Sequence, residues 1–196
     1  MTARRGSDES AARGALVDAG RRLHARGLLA GTAGNLSLRL PDGRVLVTPR
    51  GVRKDGLDTD GIVTIDPTHP DPDAVARATT EWPLHRACYE AGDVGAVVHT
   101  HAPGLTALGL GEGDGHTRLA GSLPEAAAAV GGVATVAHRP SGSEALARAA
   151  AAAVGEGAGV LLLERHGAVS VGADLAEALD RMELAELAAR AVALAG

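Results

Sequence analysis

Three histidines stand at the ends of short apolar segments. His99 and His101 occur in GAVVHTHAPG, and His166 occurs in GVLLLERHGAVSVG. Since side chains alternate between the two faces of a strand, His99 and His101 point to the same side. Three neutral imidazoles with an open fourth position are the ligand set of a catalytic zinc-type site. A lone histidine after a strand is more often structural than a metal ligand, so the metal hypothesis requires that all three meet.

A carboxylate and several anion-binding groups accompany the histidines. Glu81 follows Thr79 and Thr80 at the predicted start of a helix, where the helix dipole favours an ionised carboxylate. Such a carboxylate can bind a neighbouring metal at rest and act as a base when substrate displaces it. A plain capping role is the alternative. The threonine hydroxyls and the free N–H groups of the helix start predict an anion site, to which the GTAG segment before Asn35 offers flexible backbone and an amide.

The composition argues against several other kinds of chemistry. Lys54 is the only lysine among 19 basic residues and lies in the charged turn GVRKDGLD. Imine catalysis, which needs a desolvated lysine, is therefore not expected. Cys88 is the only cysteine, which excludes an intrachain disulfide, and its helical pattern predicts a buried thiol. The net charge of −5 without a basic block argues against a nucleic-acid surface.

The length and the terminal sequence predict one soluble domain. The 196 residues suffice for a single core, and residues 1–8 are expected to be flexible. MTARRGSDES lacks the apolar segment of a signal peptide, and no apolar run reaches the roughly 18 residues that a membrane helix needs. A cytoplasmic protein without a membrane partner is the expectation.

Short strands alternate with helices along the chain. Apolar periodicity predicts helices over 9–27, 79–92, 143–155 and 174–195, and a mobile glycine-rich loop over 109–115. NLSLRL and RVLVT, joined by PDG, predict a hairpin, and five further strands follow from GIVTID to AVSVG. The pattern indicates one α/β domain with a central, largely antiparallel sheet flanked by helices.

Five motifs occur in an order and spacing that resemble the class II aldolase/adducin family. They are GTAGNLSLR, VTPRGV, TTEW, HTHAP and RHGAVSVG, and the resemblance extends roughly from residue 10 to residue 190. GTAGN and the acid–tryptophan pair of TTEW are most similar to the family's L-fuculose-phosphate aldolases. The resemblance thus implies one class II aldolase/adducin-like domain over residues 1–196.

The resemblance also implies a role for each candidate residue. His99, His101 and His166 would bind Zn²⁺ or another divalent cation. Glu81 would be the fourth ligand at rest and the acid/base during turnover. The residues expected to bind phosphate are Thr32, Asn35, Arg50, Gly51, Thr79 and Thr80.

The implied reaction is retro-aldol cleavage of a ketose 1-phosphate similar to L-fuculose 1-phosphate. The products would be dihydroxyacetone phosphate and an aldehyde, formed through an enediolate that the metal stabilises. Family resemblance further implies a homotetramer with its sites at subunit interfaces, and a phosphorylated sugar as the partner molecule.

Some residues depart from the family's pattern. Arg50 replaces a hydroxyl residue in TPRG and either pairs with the phosphate or points to solvent. Fuculose-phosphate aldolase has a tyrosine proton donor between the HTH motif and the GG near residue 131, and this chain has none there. Tyr89 is expected in the core, His85 is expected to be structural, and His116 is a candidate donor in the glycine-rich loop.

Three other functions are compatible with the family. 5-Methylthioribulose-1-phosphate dehydratase resembles this chain with the same three histidines and an acid/base glutamate. L-Ribulose-5-phosphate 4-epimerase resembles a version with aspartate in place of Glu81. A non-enzymatic, adducin-like binding domain fits least, because adducin-type domains lose the metal histidines.

Overall fold

The computed structural model describes residues 2–110 and 115–195. In this part of the chain, seven strands form one sheet in the order β3-β2-β1-β4-β7-β6-β5. All neighbouring strands pair antiparallel except β5 and β6, which are parallel. The strands are β1 Asn35–Arg39, β2 Val45–Val47, β3 Val63–Ile65, β4 Ala96–Thr100, β5 Val133–Val136, β6 Val160–Leu163 and β7 Gly167–Gly172.

Helices cover both faces of this sheet, and each face has its own apolar core. Side chains of α1, α4 and α8 pack on one face, and those of α2, α3 and α7 pack on the other. The helices are α1 Thr2–Ala25, α2 Pro72–Arg77, α3 Trp82–Ala91, α4 Pro103–Leu110, α5 Gly115–Ser122, α6 Pro124–Ala129, α7 Glu144–Gly155 and α8 Leu175–Ala195. The predicted single sheet, largely antiparallel and flanked by helices, is confirmed.

The central strand β4 shows how the sequence pattern produces these layers. Ala96 and Val98 face one core while Val97 faces the other, and all three are fully buried. Such a continuous apolar run is expected for a strand that is covered on both faces. None of the helices in the described part of the chain combines the length and apolar content that crossing a bilayer requires.

The structure differs from the sequence prediction at several helices. The first helix starts at Thr2 rather than residue 9, and the short helices α2 and α4 were not predicted. The region after α4, where a loop was expected only over 109–115, forms two further short helices, α5 and α6. Its glycines lower the intrinsic helix propensity, but the packing of both helices against α8 overrides it. Residues 111–114 of the predicted mobile loop lie outside the described residues.

The central strands β1, β4 and β7 bring their ends close together at one end of the sheet. Asn35 at the start of β1 pairs with His99 near the end of β4, and Thr100 pairs with Ala168 of β7. A Cβ on Gly167 would lie 2.3 Å from the Thr100 carbonyl oxygen, so only glycine allows this approach of β7 to β4. The start of β1, the end of β4 and the turn before β7 therefore share one location.

Candidate metal centre and substrate pocket

The three predicted histidine ligands converge at this end of the sheet. His99 lies on β4, His101 follows that strand, and His166 ends the turn between β6 and β7. Their ligand nitrogens all lie within 4.8 Å of one another. Glu81 completes the cluster: its Oε2 is 3.0 Å from His99 Nε2 and its Oε1 is 3.3 Å from His166 Nε2. The structure thus brings together all four side chains expected to bind metal.

The hydrogen bonds of the rings fit a divalent cation. His99 Nδ1 lies 2.9 Å from the Ala168 carbonyl oxygen and must donate to it, which leaves the Nε2 lone pair directed into the cluster. That Nε2 lies 3.2 Å from His101 Nε2 and 3.0 Å from Glu81 Oε2, so its lone pair faces a carboxylate oxygen, another acceptor. The buried Nδ1 of His166 has no hydrogen-bond partner in the described part of the chain. A cation bound among the Nε2 atoms and the Glu81 carboxylate would relieve the first of these conditions.

The electrostatics favour the protonation states that metal binding requires. Desolvation at the pocket wall, followed by the neighbouring charges of His99 and His166, lowers the pKa of His101 to about 4. The same effects lower the pKa of His166. Burial alone would raise the pKa of Glu81, but His99, Asn35 and His166 together outweigh it and hold that pKa well below its usual range. These shifts favour neutral rings at His101 and His166 and an ionised carboxylate at Glu81.

One amide group and one hydroxyl group donate hydrogen bonds to the Glu81 carboxylate. Asn35 Nδ2 donates to Oε2 over 3.0 Å, and Ser141 Oγ donates to Oε1 over 3.0 Å. Glu81 lies just before the first turn of α3, where Thr79 Oγ1 accepts from its backbone N–H at 3.3 Å. Sequence reasoning missed Ser141, since it lies in the loop before α7 and carries no periodic signal.

A chain of buried hydrogen bonds continues behind Asn35. Because the Asn35 amide nitrogen donates to Glu81, its Oδ1 accepts from His85 Nε2. The His85 Nδ1 then accepts from Ser37 Oγ at 2.7 Å, and Ser37 Oγ accepts from the Tyr89 hydroxyl at 2.7 Å. All donors point toward the carboxylate. The spacing of Glu81, His85 and Tyr89 at four-residue intervals was the available sequence signal, since such residues share a helix face.

A pocket of about 380 Å³ opens beside the cluster. Glu81, His101, His166 and Ser141 line it. All six residues expected to bind phosphate line it as well: Thr32, Asn35, Arg50, Gly51, Thr79 and Thr80. Arg50 is exposed, and its guanidinium makes a long hydrogen bond of 3.5 Å to the Ala76 carbonyl oxygen. The side chain of His116 lies outside the described residues.

The structure contradicts the prediction that Lys54 lies in an ordinary charged turn. The residue is only 2% exposed and lines the same pocket, because the short 3-10 helix Lys54–Gly56 packs under α1. Its Nζ donates to the carbonyl oxygens of Thr32 and Val52, each at 2.8 Å. These bonds favour the ammonium form over the neutral amine that imine formation requires.

Comparison with known proteins identifies the family. The model of the class II aldolase and adducin N-terminal domain matches residues 14–193. The chain belongs to this family. Its similarity to solved structures agrees: L-fuculose-1-phosphate aldolase from Thermus thermophilus superposes with a TM-score of 0.76 at 28% identity, over 94% of each chain. The protein is therefore a member of the class II aldolase superfamily.

Two relatives bear on the choice of substrate. A 5-methylthioribulose-1-phosphate/5-deoxyribulose-1-phosphate aldolase from Rhodospirillum rubrum is 38% identical over 91% of this chain and 79% of its own. A methylthioribulose-1-phosphate dehydratase from Gluconobacter oxydans is 39% identical over 54% of this chain, a match that spans about half (51%) of that protein. These names favour the alternative interpretation of the sequence over L-fuculose 1-phosphate.

The buried His85 gives a pH-dependent stability with a definite sign. Burial, more than the nearby charge of His99, lowers the pKa of His85 to about 3, whereas an unfolded histidine titrates near about 6.5. The unfolded chain therefore binds the proton first. This contribution to the free energy of unfolding is complete above about pH 6.5 and is lost toward pH 3, by about 1.4 kcal/mol per pH unit.

Urea denaturation of the metal-free protein between about pH 4 and 6.5 measures this slope. His85→Gln should make the slope shallower by about one proton. His69→Gln is the matched control, since that side chain is 89% exposed, and it should leave the slope unchanged. Identical slopes for His85→Gln and the unaltered chain would contradict the assignment.

Proposed function

We propose that this enzyme is a divalent-metal-dependent aldolase that cleaves a 5-deoxy or 5-methylthio ribulose 1-phosphate. Retro-aldol cleavage between C3 and C4 of such a ketose releases dihydroxyacetone phosphate and a short aldehyde. The observation that carries the proposal is that the cluster of three imidazoles and an ionised carboxylate adjoins one pocket, which every residue expected to bind phosphate lines. The relative from Rhodospirillum rubrum, which aligns over 91% of the chain, supports the substrate class.

The histidines and Glu81 have different roles in this reaction, cation binding and proton transfer. His99, His101 and His166 would hold the cation, with Glu81 as a fourth ligand before substrate binds. When bound, the cation supplies Lewis-acid chemistry, polarising the substrate carbonyl and stabilising the charge that develops on its oxygen. Glu81 then gives a proton to C3 after cleavage and removes it in the direction of synthesis.

Neighbouring residues keep this carboxylate in position. Asn35 and Ser141 each donate a hydrogen bond to one of its oxygens, which keeps the carboxylate oriented for proton transfer. Thr32, Gly51 and the threonines before α3 offer hydroxyl and backbone N–H groups to the phosphate. Holding the phosphate fixes the distance between C3 and the Glu81 oxygens.

A dehydratase acting on 5-methylthioribulose 1-phosphate is the second candidate, and the relative from Gluconobacter oxydans favours it. Loss of water begins with removal of the proton from C3, the carbon that receives a proton after cleavage, so Glu81 serves either reaction. The reactions differ at the C4 hydroxyl, which loses only its proton in cleavage but leaves as water in dehydration. Zinc as the metal, a cytoplasmic location and a homotetramer with its sites at subunit interfaces stay predictions of the family resemblance.

Product analysis of the metal-loaded protein separates these reactions. We expect 5-deoxyribulose 1-phosphate and 5-methylthioribulose 1-phosphate to yield dihydroxyacetone phosphate plus an aldehyde, with much slower cleavage of L-fuculose 1-phosphate. Coupled reduction of dihydroxyacetone phosphate reports cleavage, and NMR of the remaining sugar carbons reports loss of water. If a dehydrated diketone forms without cleavage, the enzyme is a dehydratase and not an aldolase. If no ketose 1-phosphate is turned over, both proposals are refuted.

Glu81→Gln should separate metal binding from proton transfer. The three histidines remain, so the variant should still bind the cation. Its turnover should fall by about 100-fold or more, because an amide cannot exchange a proton with C3. Metal content by atomic absorption and steady-state kinetics measure the two effects.

Glu90→Gln is the matched control, since it makes the same change on an exposed position of the same helix. It should retain full activity. Normal turnover in Glu81→Gln would remove this carboxylate from the mechanism.

A further inference from the structure

A buried ammonium without a carboxylate partner lies in the wall of the substrate pocket. Lys54 is 2% exposed and lines the pocket together with Thr32 and Gly51. Its Nζ meets two neutral carbonyl oxygens, those of Thr32 and Val52, and no carboxylate in the described part of the chain forms an ion pair with it. Burying a charge that is not paired is costly, so this charge needs an explanation.

A clamp between two loops does not explain the charge. The two hydrogen bonds join the Thr32 segment to the turn after Val52, and a neutral donor could make them at lower desolvation cost. An ammonium has three N–H donors, and the two carbonyls account for two. The cost of this desolvation appears in the pKa of Lys54, which burial lowers to about 8.

The surrounding pocket wall matches an anion. Lys54 shares the wall with Thr79 and Thr80, two residues whose hydroxyl groups can donate hydrogen bonds. Arg50 is the other cation among the described lining residues, but it is exposed to solvent. The lining carboxylate, Glu81, already accepts from Asn35 and Ser141 and does not neutralise the lysine.

We propose that Lys54 binds the phosphate group of the substrate and supplies the buried positive charge of this pocket. The ammonium donates its third N–H to a phosphate oxygen while it holds the Thr32 segment in place. The site therefore selects a phosphate monoester over the corresponding free sugar. This assignment rests on the proposed function, in which the pocket holds a phosphorylated ketose.

The composition of the chain allows a test without any mutation. Lys54 is the only lysine, so protein labelled with [¹³C]lysine gives one Cε signal from the side chain. Inorganic phosphate is titrated into the intact, metal-loaded protein, and again after the metal is removed with a chelator. We expect the Lys54 signal to shift and saturate at the phosphate concentration that calorimetry gives for binding. Chloride at equal ionic strength should not reproduce the shift.

Charge-removing variants then measure the contribution of the ammonium. Lys54→Met keeps the aliphatic stem and should weaken phosphate binding by about tenfold or more, as expected for loss of a hydrogen bond to a charged group. Arg53→Met removes the same charge from the adjacent position, where the side chain is 55% exposed and paired with Asp55, and should change binding less than about twofold. Lys54→Arg should restore part of the affinity.

The outcomes separate this assignment from the proposed function. The role of Lys54 is overturned if phosphate binds saturably but the Lys54 signal does not move. It is also overturned if folded Lys54→Met binds phosphate with unchanged affinity. In both cases the proposed phosphate pocket is retained. Failure of the unaltered protein to bind phosphate overturns both. If Lys54→Met does not fold, the lysine signal of the unaltered protein decides the question alone.

Discussion

An ionised carboxylate buried between strand ends is the constraint on which the site depends. Glu81 is only 4% exposed, and burial by itself opposes its charge. The charge persists because Asn35, Ser141 and two of the histidines surround both oxygens. These partners come from β1, the loop before α7, β4 and the turn before β7, so one carboxylate fixes how four segments approach one another. A site assembled in this way holds the carboxylate in position before substrate arrives.

Backbone packing makes that approach feasible. A Cβ on Gly34 would lie 2.7 Å from the His99 carbonyl oxygen, and one on Gly167 would lie 2.3 Å from that of Thr100. Gly34 also has a φ of +71°, which few other residues adopt without strain. The glycines of GTAGN and RHG thus place Asn35 and His166 beside the ends of β4. Their function is structural, while the chemistry belongs to their neighbours.

Much of this arrangement could be predicted from the sequence, within physical limits. Alternation of apolar residues indicated the strands and placed His99 and His101 on one strand face. His166 approaches them only because β7 lies beside β4, and the local sequence pattern does not specify which strands are neighbours. The charges around Lys54 indicated an exposed turn, whereas α1 covers it. Ser141 lies in an irregular loop without periodicity. The helices α5 and α6 depend on contacts with α8 that glycine-rich sequence does not reveal.

The central claim is that three imidazoles and one carboxylate form a single metal centre. X-ray absorption spectroscopy of the zinc-loaded protein in solution tests it directly, because imidazole rings give a characteristic outer-shell scattering that carboxylates and water lack. We expect a coordination shell of nitrogen and oxygen, with the outer-shell signal of three imidazoles and no sulfur. A shell of oxygen alone, or one containing the sulfur of Cys88, would contradict it.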